Sequence, residues 1–535
     1  MLPSEPKAFD AGQPDHSGQA LYEWLWQSPS PTLELAQSRC FKSPASFLTL
    51  EERTRLTYER AKKICDVYGL AVDDILTLSP KFWKLQTDPI AAVDGGALTL
   101  ISIQAQFMLT EVGHGLDARN LKTTATLLPD GSFELHSPSW AAAKCMPPTT
   151  PRSGLPVVAV VIARLIVDGE NYGVRPFLVP LGDGHEMALP PRAGAHPVDH
   201  ALTLFKRVVL PNSALLGSLE KPRNERDHFF ATIHRVSAGT VFLSGASLPA
   251  LQLAVYNAAQ FSLRRRVTGH DGNPMAYRVL QAFLVEAATT FRNRKVDPRV
   301  RHAIATVFKA VALQHFQKSI KALNDECGWH GYCGHNQILQ LELEFRAVGT
   351  AEGDIRVLAI RLASELLIGR YQLPSPRDPN SAVARHEAAL LTEAKHRLIE
   401  FGGVHRGEDF NRNILPLSLP MIQAIGHRMA LEAAKDANID SNLCALYESG
   451  VILEDSAWYT EQGGISRRVQ REIEAQAADT LLPDLERLVY ETGAGPYSSA
   501  PMTSEPLWNT FVSELETYSG EAFLDIGASP VQANL

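Results

Sequence analysis

The chain has 535 residues, 45% hydrophobic and 21% charged, a composition that fits a folded protein with a large core and excludes a disordered or fibrous one. Lys and Arg number 51 against 59 Asp and Glu, so the net charge of −8 argues against general nucleic-acid binding, and no nucleic-acid partner is expected. The 6 cysteines are too few for a disulfide framework and fit a reducing compartment.

The first residues, MLPSEPKAFDAGQPDHSGQ, lack a basic start followed by an apolar run, so no signal peptide is expected. Residues 1–104 read as an N-terminal helical domain, with TLEERTRLTYERAKKICDVYGL carrying apolar residues at helical spacing. Residues 105–215 change character. TTATLLPDGSFELHS alternates on either side of Pro129-Asp130-Gly131, and VVAVVIARLIVDGENYGVRPFLVPL places two apolar β-branched runs around Asp168-Gly169-Glu170-Asn171. Both are hairpin signals; with ALTLFKRVVLP as one further strand, the region reads as a small β-barrel or sandwich. From 216 to 375 the helical period returns in long segments, Asp227 to Arg266, Met275 to Arg292 and Pro298 to Asn324, predicting an antiparallel bundle. Within it, Val236 to Leu263 carries no formal charge, but Pro249, Gln252, Asn257 and Gln260 favour a buried helix over a membrane span. The Pro-rich joint QLPSPRDPN leads into a second helical domain, 376–535. The expected fold class is therefore α+β, in the order helices, β domain, bundle, helices.

Two nucleotide signatures, GxGxxG and GxxxxGK[ST], are missing, so a nucleotide would have to be held in another way. Phe107-Met-Leu-Thr110-Glu-Val-Gly113-His-Gly115 opens the β region with a hydroxyl and small residues. It reads either as a strand ending in a glycine turn or as backbone that a flat polar ring can approach. Arg264, Arg265 and Arg266 end a long helix, as a solvated terminus or as a phosphate grip. Cys327-Gly-Trp-His330-Gly-Tyr-Cys333-Gly-His335 gathers four metal-competent side chains, but ligands this crowded seldom close a tetrahedron, and no metal site is expected. Glu352, in Thr350-Ala-Glu-Gly-Asp354, precedes a helix that Asp354 can cap. It is a helix-start residue or, at the edge of an apolar pocket, a general base.

Four of these segments together resemble one family. LTEVGHGLDARNLKTTAT is similar to the signature that opens the β domain of acyl-CoA oxidases, within the acyl-CoA dehydrogenase superfamily. FSLRRRVTG resembles their YxxxRxxFG element, CGWHGY their CGGHGY turn, and AEGD their YEGD segment, all in family order. The order of domains, with its extra C-terminal helical domain, is also theirs, and some details resemble fungal relatives from secondary metabolism. The resemblance implies FAD held between the β domain and the bundle of a homodimer. It gives Thr110 a contact with the flavin, with Gly113 and Gly115 in the same signature, and Arg265 a contact with the pyrophosphate. Gly328, Gly331 and Tyr332 would lie near the FAD of a neighbouring subunit. Glu352 would remove the α-proton of an acyl-CoA or related acyl thioester, fatty-acyl or polyketide, while hydride leaves for the flavin.

Three departures from the family pattern stand out. Lys144-Cys-Met-Pro-Pro148-Thr replaces KWWPGG, so Pro148 has no N–H to donate. Trp329 replaces a glycine, which predicts crowding at the cofactor. LTLISIQ runs almost directly into QFMLTEVGHG at Gln104 to Gln106, where the family has on the order of two or three more helices. The alternative to an active enzyme is a catalytically impaired paralogue serving as a binding or scaffold subunit. The C-terminal Ala533-Asn534-Leu535 loosely resembles a peroxisomal address, so a peroxisomal or cytoplasmic location is expected.

Overall fold

A computed structural model describes residues 22–42, 48–102, 106–115, 117–146, 157–181, 186–190, 194, 196–198, 200–264, 277–293, 295–404 and 407–517. The first long helix, α1 (Leu50–Tyr68), starts where Thr49 and Glu52 cap each other's backbone and stops at Gly69, whose φ of 54° is the left-handed conformation that ends helices. The shorter helices that follow include α2 (Pro80–Thr87) and α3 (Gly95–Ser102).

The β region is built on two long strands, β5 (Val157–Val167) and β6 (Glu170–Leu181). Asp168 and Gly169 between them both have positive φ, which gives the two-residue turn whose twist matches the flanking strands. One edge of β5 is occupied by β6. The other is shared, in parallel, by β1 (Gln106–Met108) and β2 (Thr124–Leu127). The sheet continues through β3 (Phe133–His136), the antiparallel partner of β2, to β9 (Val208–Leu210). A second sheet has the order β4 (Lys144–Met146), β8 (Ala201–Thr203), β7 (Glu186–Ala188). ALTLFKRVVLP is thus two strands, not one. Between β8 and β9 the chain passes from one sheet to the other, and Arg207 takes a φ of 54° that breaks the extended run.

Eight longer helices follow: α4 (Glu225–Thr232), α5 (His234–Gly245), α6 (Ser247–Arg264), α7 (Tyr277–Arg292), α8 (Pro298–Glu326), α9 (Ile338–Arg346), α10 (Ile355–Leu367) and α11 (Ala382–Glu400). The segment expected as one helix from Asp227 to Arg266 is instead α4 to α6. The break before Ser247 puts Pro249 in a first turn, where a backbone N–H would have no partner within its own helix and its absence costs least. Val236–Arg264 is long and apolar enough to cross a membrane, yet 94% of its most apolar window is buried against this fold. Its side chains join Phe283, Phe308 and Phe316 in the helical core, and Phe82 of α2 stacks on Phe242 at 4.2 Å. Burying each such ring contributes about 1.5–3 kcal/mol.

The last part of the chain is helical too, including α12 (Leu415–Asp436), α13 (Ser441–Glu454) and α14 (Arg467–Leu481). It returns to the beginning. Thr32 donates to Asp88 at 2.7 Å and meets the Tyr497 hydroxyl at 3.1 Å, while Lys42 donates to the carbonyls of Pro496 and Ser498, both at 2.7 Å. Ser498 also donates to Asn257 of α6 (2.6 Å), and the Met502 N–H donates to Asn336 (3.1 Å).

Candidate active site

A cavity of about 700 Å³ lies where the start of the β region meets α3, α5, α9 and the start of α10. That volume is within the ~300–1,000 Å³ of small-molecule sites. Leu98, Phe107, Leu109, Phe229, Phe230 and Phe242 give it apolar walls, and Thr110, Gly115 and Glu352 all face it.

Glu352 is positioned through its backbone. It has a φ of 53°, Gly353 has 96°, and this pair of left-handed residues turns the chain sharply into α10. Three bonds hold the turn. Thr240 Oγ1 donates to the Glu352 carbonyl at 2.9 Å, and the buried Lys309 amine donates to the carbonyls of Ala351 and, at 2.7 Å, Gly353. Burial pushes the Lys309 pKa down to about 8, against the pull of Glu352 and Asp354. Asp354 caps α10, accepting from the N–H groups of Arg356 (2.9 Å) and Val357 (3.2 Å), as its position before the helix predicted. The carboxylate itself rests against Gly239 of α5. A Cβ added there would lie 2.5 Å from Glu352 Cδ and 2.6 Å from Oε1, so glycine is what leaves room for the acid.

Thr110 is held from below by a buried ion pair. Lys144 of β4 is wholly buried; its amine donates to Glu111 Oε1 (3.1 Å) and to the carbonyls of Leu109 (3.2 Å) and Ile162 (2.8 Å). Glu111 also accepts from the N–H groups of Lys122 (2.7 Å) and Thr123 (2.9 Å). Burial lowers the Lys144 pKa to about 8 although Glu111 opposes it. Burial would raise that of Glu111, but Lys144 and the two N–H groups outweigh it and hold the carboxyl below its usual range. The Thr110 carbonyl accepts from the Cys145 N–H at 3.0 Å, so the residues around Thr110 are fixed on both sides. Gly115 has nothing within 4 Å of where a Cβ would stand, so backbone faces open space there.

The other expected residues lie elsewhere. Gly113 packs on Ala141, where a Cβ would come within 2.9 Å of its neighbour. Gly328, Gly331 and Tyr332 sit on the short helical turn Trp329–Tyr332, which does not line the cavity. Gly331 must be glycine, because a Cβ would fall 2.1 Å from the Asn324 carbonyl oxygen. Tyr332 donates to Asp325 (3.0 Å) and is 53% exposed; Trp329 is 79% exposed and crowds nothing in this cavity. Arg265 and Pro148 lie outside the described residues, while Arg264 donates to the Met502 carbonyl at 2.8 Å. His330 packs between Phe261 and Trp508, and His335 against Phe511. Among the described residues no group of three or more His, Cys, Asp or Glu is placed to hold a metal. Elemental analysis of the purified chain is expected to find no stoichiometric zinc; one zinc per chain, lost in Cys327→Ser, would reverse that expectation.

Comparison with known proteins fits this arrangement. A family profile, "Acyl-CoA oxidase, C-alpha1 domain", matches residues 261–367, from the end of α6 through α10. Human peroxisomal acyl-coenzyme A oxidase 3 is 26% identical over 407 residues, covering 61% of this chain and 58% of that protein, so the chain spans less than two thirds of this relative's length. In three dimensions the chain is similar to acyl-CoA oxidase 1 of Yarrowia lipolytica, with a TM-score of 0.74 at 16% identity over 95% of this chain and 97% of that one. It is also similar to acyl-CoA oxidase 2 of Caenorhabditis elegans solved with FAD, ascaroside-CoA and ATP, with a TM-score of 0.71 at 15% identity over 92% of each chain. Residues 261–367, which carry Glu352, thus match the acyl-CoA oxidase C-alpha1 domain, and the chain is similar in sequence and in fold to acyl-CoA oxidases.

Proposed function

We propose that the chain is an FAD-dependent enzyme that removes hydrogen from the α and β carbons of an acyl-CoA thioester. The observation that carries this reading is a single cavity shared by Glu352, on the turn before α10, and by Thr110 and Gly115, at the start of the β region. The residues fit a flavin: Gly115 offers bare backbone to open space, Thr110 adds a hydroxyl on a segment that Lys144 fixes, and apolar walls surround both. When bound, FAD supplies the hydride acceptor that no side chain provides.

The protein's own part is proton removal and positioning. Glu352 takes the α-proton on a carboxylate oxygen, from a carbon whose acidity is too low for water to serve as base at a useful rate. The turn held by Thr240 and Lys309 keeps that oxygen from drifting, and the glycine at 239 lets it stand at the wall. Leu98, Phe229, Phe230 and Phe242 exclude water from the acyl chain, which keeps the base unsolvated and reactive.

The proposal includes a homodimer and a peroxisomal location. The turn Gly328–Tyr332 does not face its own chain's cavity, and it carries Trp329 and Tyr332 on the surface close to Trp508, which is 39% exposed. An apolar surface of that kind suits a second copy. The location follows the relatives named peroxisomal; Ala533-Asn534-Leu535 lie outside the described residues. The test is optical. Purified protein reconstituted with FAD should be yellow and release close to one FAD per chain on denaturation, and its flavin band should bleach anaerobically with acyl-CoA. Protein that stays flavin-free in excess FAD would refute the reading.

A further inference from the structure

Besides Glu352 and the helix-capping Asp354, the cavity is lined by a buried acid that proton abstraction does not use. Glu344 of α9 is 6% exposed and lines the same wall as Gly95 of α3. Its Oε2 accepts from His196 Nδ1 at 2.7 Å, and its Oε1 has no hydrogen-bond partner. A Cβ on Gly95 would stand 2.6 Å from that oxygen, so glycine makes the space the carboxylate occupies. Behind it the charges are balanced. Asp94 lies 4.0 Å from His196 and 3.1 Å from the buried Arg60 guanidinium, and the Gln340 amide reaches His196 Nε2 at 3.0 Å. Burial disfavours a charged His196, but Asp94 and Glu344 outweigh it and raise its pKa. The cluster therefore gathers two carboxyl groups, Asp94 and Glu344, around one guanidinium, Arg60, and one imidazole, His196.

A buried carboxylate oxygen without a donor is costly, and a plain methylene chain alongside it would leave it so. We propose that Glu344 is a specificity residue for an acyl chain that carries a hydroxyl group, whose O–H donates to the open carboxylate oxygen. The inference rests on the dehydrogenation reading and deepens it. The terminal torsion of a glutamate is soft, so a small rotation turns Oε1 toward the cavity without moving the backbone. A hydroxyl suits the site because it donates one hydrogen bond to Oε1 without adding a charge to the buried cluster of Asp94, Arg60, His196 and Glu344.

The test uses the full FAD-loaded chain and acyl-CoA thioesters of one chain length, unsubstituted or with a single hydroxyl moved stepwise outward from the γ-carbon. Affinity is read from the flavin spectral shift in Glu352→Gln, which binds without turnover, and reduction from anaerobic bleaching in the wild type. One hydroxyl position should bind at least about tenfold tighter than the unsubstituted chain, the direction expected of a site built to bond a hydroxyl. Glu344→Met, which keeps length but offers no carboxylate, should lose that preference while still binding the unsubstituted thioester. Equal affinities across the series in the Glu344-bearing protein would overturn the inference and leave the dehydrogenation reading standing. A preference that persists in folded Glu344→Met would overturn it as well. If no thioester binds or bleaches the flavin, the dehydrogenation reading fails and takes the inference with it. The series with Glu344 intact decides alone if the Met variant does not fold.

Discussion

Replacing Glu352 by glutamine is expected to slow anaerobic flavin reduction by acyl-CoA by at least ~10²–10⁴-fold, the contribution typical of a positioned general base. Glutamine keeps the size and hydrogen-bonding reach of the side chain beside Gly239 but cannot accept the α-proton. FAD content and melting temperature should therefore stay near wild type, since the turn is held through backbone carbonyls by Thr240 and Lys309 rather than through the carboxylate. The neighbouring acid gives a control. Asp354→Ala removes the α10 cap and should cost about 0.5–2 kcal/mol of stability while leaving most of the reduction rate. Stopped-flow bleaching decides: a Glu352→Gln protein that reduces as fast as wild type would place the base elsewhere.

Lys144→Met should have the largest effect on folding and on FAD retention together. The substitution strands Glu111, wholly buried, without its cation, and takes donors from the carbonyls of Leu109 and Ile162. Removing one partner of a buried pair costs about 3–5 kcal/mol. Because two of the three bonds reach the residues flanking Thr110, the damage falls on the segment proposed to meet the flavin. The variant is expected to melt lower and to purify with less than one FAD per chain. Lys144→Met with Glu111→Leu should recover part of the stability, since no unpaired charge is left. A single variant that keeps both wild-type melting temperature and FAD content would show that the pair does not support this segment.

What could be read from sequence was local. The hairpin follows from Asp168-Gly169-Glu170-Asn171 between β-branched runs, of which only the first two residues form the turn; the cap at Asp354 follows from an acid before a helical run, and Glu352 is a candidate from a four-residue motif. The supports of the site were not readable, because each joins residues far apart in the chain. Nothing around Gly239 says that a carboxylate from the start of α10 will lie against it. Lys144 is one lysine in a strand until β1, β4 and β5 close over it, and His196 meets Glu344 only when a loop from the β region reaches α9. Two errors of extent have local causes that the pattern hides. Arg207 adopts a left-handed conformation although it is not glycine, and the charge-free run within Asp227 to Arg266 gave no sign of the break that seats Pro249 in a first turn.

The bonds from the 496–502 segment back to the rest of the chain set the order in which the molecule can be finished. Asn336, at the end of the glycine-rich turn, donates to the His330 carbonyl (3.0 Å) and accepts from the Met502 N–H, and Asn257 on the helix alongside accepts from Ser498. During synthesis the turn at 328–337 is made long before residue 498 leaves the ribosome. Until then the oxygens of Asn257 and Asn336 wait for donors that do not yet exist, and the carbonyls of Pro496 and Ser498 are not there to receive Lys42. Final assembly of this turn, and of the N-terminal helices tied to the same segment, therefore waits for residues 496–502, and a nascent chain stalled before residue 496 should expose this surface to chaperones.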